Sequence, residues 1–446
     1  MAKQDNWSSK LGFILSAAGS AIGLGAIWKF PYTMGTNGGA VFFLLFVFFT
    51  FLIGAPVLVA EFVIGRSSRK SAVEAFASLV PDKFWPLTGL LGVITCFVLL
   101  SFYSVVGGWV LSYVFFALTG QLSGVEDYGA FFGSVIGNPT QVLLFQGLFM
   151  LAVVAVVRSG VSSGIEKANK YMMPSLFIMF VVLAVRSLTL DGAMSGVAFM
   201  FKPDWSYFTP ETALSALGQA FFALSLGVSA MITYASYLDD KADLFRNANT
   251  IVWMNLAISI LAGLVIFPAV FALGFEPNQG PGLIFAVLPA VFNHLPFGSL
   301  LFNIFMVLVL FATLTSAFAM LETATAAAIS RRPEKRGLYT WLIGLGIFIV
   351  GIPSALSFST WQDVKWLGDR DIFSSLDYLV TSWSMPLGAL LTTCFVGWAW
   401  KKRQVMNDVR TGSNLSGKVA DVWFFLLRYI APVAIVIVFL NTLGWI

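Results

Sequence analysis

This chain has little with which to do covalent chemistry. Its 446 residues include two cysteines and one histidine. Cys96 and Cys394 lie in apolar stretches and read as small buried hydrophobes, with no disulfide framework and no metal-ligand spacing. His294 falls in a loop, which leaves a zinc cluster or a Ser-His-Asp relay without its imidazoles. Charge is scarce too, at 11% of residues, against about a quarter in soluble domains. Apolar side chains take that place: 58% of residues are hydrophobic, 44 are Phe, and the mean hydropathy is +0.86. An all-α polytopic membrane protein follows, with the lipid bilayer as its solvent. The polar start, Met1 to Lys10, argues against a cleavable signal peptide.

About eleven segments of spanning length succeed one another, near 11–35, 40–65, 87–119, 141–157, 171–190, 211–237, 248–274, 298–329, 338–356, 375–400 and 421–443. Basic residues test this division. Placing the N-terminus inside puts 20 of the 26 Lys and Arg residues in inside stretches and 4 outside, with Lys29 and Arg428 within spans. That bias orients the chain with a cytoplasmic N-terminus and, the span number being odd, an extracellular C-terminus. The net charge of +4 therefore reflects topology and needs no nucleic-acid partner.

The first span carries Gly19, Gly23, Gly25 and Pro31 within thirteen positions. Glycine costs a helix interior about 1 kcal/mol and proline about 3. Backbone groups freed inside a membrane need partners, so such a break survives only against protein or a wet cavity. The sixth span repeats the pattern with Ser225, Gly227 and Ser229 at mid-membrane. Two interrupted spans five apart point to an inverted-repeat transporter. The repeats would be 11–190 and 211–400, after a 1–10 cytoplasmic segment, with 421–443 an extra span of one 1–446 domain. In span five, Gly164 and Pro174 allow either an unwound inner end or an ordinary start with proline in its first turn.

Intramembrane charges are costly and each asks for a reason. Lys29 follows the first break and Asp377 opens span ten; they read either as a pair closing the outer side or as two snorkelling interfacial charges. Glu61 and Glu322 are expected to bond to broken-helix backbone or polar neighbours. Thr315 and Ser316 in span eight either bond back to their own helix or, facing unwound carbonyls, offer oxygens to a small cation. The 120–140 and 275–297 outer loops are long enough for short helices. The second holds an apolar Leu283–Leu288 patch that reads equally as a lid or a surface loop.

These residues resemble the neurotransmitter:sodium symporter family in its bacterial branch, with the leucine-transporter fold. The likeness covers nearly the whole chain and rests on Trp7, Gly23-Leu-Gly25, Trp28-Lys-Phe-Pro-Tyr32, Asn37-Gly-Gly39, Gly54-Ala-Pro56 with Glu61, and Gly65-Arg66. It extends to Tyr103 with Trp109, Ile232-Thr-Tyr-Ala-Ser-Tyr237 and Leu314-Thr-Ser316. The resemblance implies sodium-driven uptake of an amino acid across a bacterial cell membrane by alternating access. Backbone N–H groups at Leu24 and Gly25, with the Tyr103 hydroxyl, would hold the substrate carboxylate. Carbonyls near Ala21, Phe222 and Ser225 would take its ammonium. Leu99, Phe222, Val228, Ser316 and Met320 would surround its side chain. Val228 stands where the branch's leucine transporter has a bulky aromatic, implying room for larger aliphatic and aromatic side chains.

The second sodium site carries over complete: Gly19, Ile22, Ala312, Thr315 and Ser316. The first departs from the family, with Ala26 in place of Asn and Ala223 in place of Ser or Thr; only Asn255 and the Ala21 carbonyl match. Phe46 and Ala223 also remove two hydroxyls expected around Gln219, Asn255 and Ser259, so chloride is not expected to be required. Ser330 replaces an inner-gate aspartate, leaving inner closure to Trp7, Tyr237 and the Lys3/Lys10 region; Lys29 and Asp377 would form the outer gate. A channel would need a polar path at every depth, which spans nine and eleven lack. An enzyme would need a nucleophile–base or metal constellation. A receptor without transport remains the alternative if ion coupling is weakened at Ala26.

Overall fold

A computed structural model describes residues 6–82, 84–122, 124–274, 283–293, 297–413 and 416–442. Lys3, His294 and much of the proline-rich 275–297 stretch lie outside the described residues. Regular structure among them is helical, apart from one isolated bridge between Leu367 and Arg370.

The chain opens with a bent pair, α1 (Lys10–Ala21) and α2 (Gly25–Thr36), which change direction by 51° across the glycine-rich break. Ser9 starts α1 by accepting from the Gly12 N–H at 3.0 Å. Then come α3 (Ala40–Ser68), α4 (Pro86–Leu118), α5 (Pro139–Val157) and α6 (Val161–Leu188). The expected sixth span is two pieces, α7 (Pro210–Ala223) and α8 (Ala230–Ala235), flanking non-helical residues 224–229. The set closes with α9 (Leu244–Ala272), α10 (Gly298–Ile329), α11 (Pro333–Leu356), α12 (Ile372–Ala399) and α13 (Gly417–Thr442). Among the described residues nine helices are long and apolar enough to cross a bilayer, and the α1–α2 pair makes a tenth. Segment 211–237 is present, but neither of its pieces spans by itself.

The most enclosed spans are α10, α4 and α9; α6 and α11 are the least. Exposed side chains on α6 and α11 are nonetheless apolar, Ile178, Val182, Leu342 and Ile349 among them, as lipid contact requires. Two details differ from the sequence reading. Helix α6 starts ten residues earlier than the apolar run suggests and opens with a π turn, Val161–Glu166. Pro174 thus lies in the helix interior, neither in a first turn nor in an unwound stretch. The apolar run began late because Glu166, Lys167, Asn169 and Lys170 interrupt it, yet Glu166 and Asn169 are fully buried. Cys394 is only half-buried, unlike Cys96.

On the expected outer side, Tyr128–Ile136 forms a short helix in the 120–140 loop. Phe285 of the Leu283–Leu288 patch is buried, stacks on Phe132 at 4.8 Å, and its carbonyl accepts from Tyr113 Oη at 3.0 Å. This patch folds back onto the bundle instead of standing out as a surface loop.

Candidate functional site

The two breaks face one another. Ile22 leaves the helix with φ −86 and ψ 68. Gly23, Leu24 and Gly25 precede the first hydrogen-bonded turn of α2, so their N–H groups have no partner within it. In the second break Ser225, Gly227 and Ser229 all have positive φ. Polar neighbours hold this strained backbone: Glu61 Oε1 accepts from Gly227 N at 2.7 Å, and Cys96 Sγ donates to Val228 O at 3.1 Å. Ser225 Oγ donates to Ser20 O at 3.0 Å, which ties one break to the other. Glu61 therefore does what its position suggested.

Between the breaks lies a buried cavity of about 40 Å³. All ten residues singled out for substrate line it: Ala21, Leu24, Gly25, Leu99, Tyr103, Phe222, Ser225, Val228, Ser316 and Met320. The Tyr103 hydroxyl is buried next to Ser316 and the Leu24 backbone and makes no hydrogen bond of regular geometry. Sequence reasoning missed Met385, whose helix α12 meets the second break backbone to backbone. The need for glycine at both Gly227 and Gly388 was the available signal.

Ser316 also belongs to a cluster of neutral oxygens. Thr315 Oγ1 lies 2.9 Å from Gly19 O and 3.0 Å from Ala312 O; Ser316 Oγ lies 3.2 Å from Gly19 O and 3.0 Å from Ser20 O. Hydroxyls and carbonyls converging on a helix break are a donor set that suits a monovalent hard cation. At the first site Ala26 and Ala223 present buried methyl groups in place of oxygens; Asn255 Nδ2 donates to Ala223 O at 2.7 Å, and its Oδ1 is buried with no hydrogen-bond partner among the described residues. Donors for an anion there are also engaged: Gln219 Nε2 donates to Gly25 O at 2.9 Å, and Ser259 Oγ to Asn255 O at 3.0 Å.

Toward the expected outer side a cavity of about 260 Å³ shares Leu24, Leu99, Tyr103 and Phe222 with the buried one. Phe222 thus stands between the two. Lys29 and Asp377 both line this outer cavity but lie beyond ion-pair distance; Lys29 Nζ sits 4.1 Å over the Phe222 ring. At the opposite end Trp7 Nε1 donates to Tyr234 O at 2.8 Å, and Trp7 N to Tyr237 O at 3.4 Å. Tyr237 Oη donates to Glu322 Oε1 at 2.6 Å, and Arg336 ion-pairs with the same carboxylate. The sequence reading names Trp7 and Tyr237 with the Lys3/Lys10 region for this closure; it misses Arg336, whose role depends on how α10 and α11 pack.

A sequence profile of the Sodium:neurotransmitter symporter family matches residues 4–127 and 134–445. The chain belongs to that family. This transporter is 51% identical over 444 residues to an uncharacterized sodium-dependent transporter, YhdH, of Bacillus subtilis, with 99% of this chain and 98% of that one covered. It is 36% identical to an uncharacterized sodium-dependent transporter of Haemophilus influenzae, over 99% and 98% of the two chains. Its structure is similar to the crystal structure of MhsT in complex with L-phenylalanine, with TM-score 0.92 and 43% identity over 99% of this chain and 100% of that one. A sodium-dependent, multi-pass membrane transporter with the leucine-transporter fold is therefore established.

Proposed function

We propose that this transporter takes up hydrophobic L-amino acids, aliphatic and aromatic, by alternating access coupled to sodium at one site, without chloride. The observation that carries the reading is the convergence of all ten candidate substrate residues on one buried cavity whose Ser316 also belongs to the oxygen cluster. Free N–H groups at the start of α2 stand at its positive end and suit a carboxylate, with the Tyr103 hydroxyl beside them. Carbonyls of the second break suit the ammonium. Leu99, Val228 and Met320 give the side chain an apolar wall. Admission needs Phe222 to swing, because the cavity is far below the roughly 300 Å³ of a small ligand pocket.

Sodium as co-substrate would be held by Gly19, Ile22, Ala312, Thr315 and Ser316, joining α1 to α10. Lys29 and Asp377, which line the outer cavity without pairing in this structure, would close it by coming together; Trp7, Tyr237, Glu322 and Arg336 close the inner end, in the orientation that the basic residues favour. The test is equilibrium binding of L-phenylalanine, L-leucine and L-tryptophan to purified protein across a sodium titration with potassium as replacement. Affinity should rise with sodium and not with chloride. An affinity indifferent to sodium would sink the coupling. The Thr315→Ala/Ser316→Ala double variant should remove the sodium-dependent binding.

A further inference from the structure

Beside the Trp7 contact lies a third cavity, of about 660 Å³, between the N-terminal segment, the α8–α9 connector and the first turn of α9. Its lining mixes signs, Lys10, Lys241 and Arg246 with Asp239 and Asp243, and all but Asp243 of these five are exposed. None of the five forms an ion pair among the described residues. Asp239 and Asp243 each accept one backbone N–H, from Lys241 and Arg246, and the second oxygen of each makes no hydrogen bond among the described residues. Asn247 lines the same cavity, is 1% exposed, and neither its amide oxygen nor its nitrogen has a hydrogen-bond partner among the described residues. A buried amide with donor and acceptor both unmet is rare and calls for water or a ligand. Arg66 fixes the back wall by donating to Ala242 O at 2.5 Å, Thr411 O at 2.9 Å and Asp408 O.

We propose that this cavity is a second amino-acid site on the cytoplasmic side, independent of sodium, which binds released product and holds the inner end closed. It rests on the uptake direction and substrate class proposed above. Lys10, Arg246 and the Asn247 Nδ2 donors receive the carboxylate. Asp239, Asp243 and Asn247 Oδ1 receive the ammonium. Trp7 and Leu238 supply an apolar wall for the side chain. A zwitterion matches this lining better than an inorganic anion, which the two carboxylates repel, or a plain cation, which three bases repel. A bound zwitterion bridges the N-terminal segment to α9. It thereby reinforces the Trp7–Tyr234 hydrogen bond and slows inner opening as product accumulates.

Equilibrium dialysis of radiolabelled L-phenylalanine against the purified full chain tests this in sodium and in potassium. Two molecules per chain are expected in sodium and one in potassium. Arg246→Gln should weaken the potassium binding about tenfold or more, the usual scale for a charge-assisted hydrogen bond; Arg246→Lys should keep most of it, and Asn247→Ala should lower it. Thr315→Ala/Ser316→Ala should remove only the sodium-dependent molecule. No saturable binding in potassium, or potassium binding unchanged in both Arg246→Gln and Asn247→Ala, would overturn the site. Loss of sodium-dependent binding with potassium binding intact would instead overturn the central-site reading. In proteoliposomes, phenylalanine on the inner side should slow uptake in the unmodified protein and less so in Arg246→Gln. Equal slowing in both would overturn the product brake.

Discussion

Gly227 shows how single residues set this site. Its φ is +80, and a Cβ there would lie 2.1 Å from Met385 O; a Cβ at Gly388 would lie 2.1 Å from Gly227 O. Two backbones in contact leave no side chain able to yield, so Gly227→Ala should cost roughly 2 kcal/mol or more. A thermal-unfolding midpoint well below the unmodified protein's, together with lost amino-acid binding, is the expected measurement. At Ala26 and Ala223 the situation is opposite: methyl groups stand where oxygens would make a second ion site. Installing both side chains, Ala26→Asn with Ala223→Thr, should steepen the sodium dependence of binding, with the Hill coefficient rising above one. An unaltered curve would reject the account of that site. The two breaks were legible in sequence because helix-breaking glycines and serines mark where backbone groups are released, whereas the cavity residues on other helices, Leu99, Tyr103, Ser316 and Met320, were named only through the family resemblance. Asn247 was not legible, since an asparagine near a helix start looks like an ordinary polar residue until its burial is known.

Helices move relative to one another through the ties at their ends, and two carboxylates hold the inner ones. Glu166 on α6 accepts from Ser8 N at 2.7 Å, Ser8 Oγ at 2.6 Å and Ser9 Oγ at 2.9 Å, and pairs with Lys170 at 2.7 Å. Glu322 on α10 collects Tyr237 and Arg336 in the same way. Removing one member of a buried pair typically costs about 3–5 kcal/mol because the other charge is stranded. Glu322→Gln should therefore loosen the inner closure. Backbone amides at 234–243 should exchange hydrogen markedly faster than in the unmodified protein, while those of 284–293 on the other side stay slow. Uniform acceleration everywhere would mean general destabilisation instead. The start of α6 escaped sequence reading for a related reason: hydropathy counts Glu166 as a boundary, although its partners from the N-terminal segment let it sit fully buried. The sixth span was recognised as interrupted, but how far it unwinds depends on Glu61 and Cys96, which come from other helices.

For the whole transporter, the order of the spans was readable because a bilayer limits what a chain can do: apolar length sets the spans, and the basic loops are the ground for the expected orientation. The strength of uptake follows from the ion count. Each sodium moving inward down a tenfold gradient yields about 1.4 kcal/mol, and its charge adds about 2.3 kcal/mol at 100 mV. One sodium per zwitterion therefore supports an accumulation of roughly 500-fold at equilibrium, whereas two would support roughly 300,000-fold. With Ala26 and Ala223 in place, the smaller figure is expected. Reconstituted vesicles with an imposed amino-acid gradient can be clamped at varied potassium diffusion potentials until net phenylalanine flux stops. The null potential should shift by about 60 mV per tenfold change in the amino-acid ratio, as one sodium and one charge per amino acid require, whereas two of each would halve that to about 30 mV. A shift fitted only by two sodium ions would show that Asn255, the Ala21 carbonyl and the substrate carboxylate hold an ion despite the missing oxygens, and would overturn the single-site coupling.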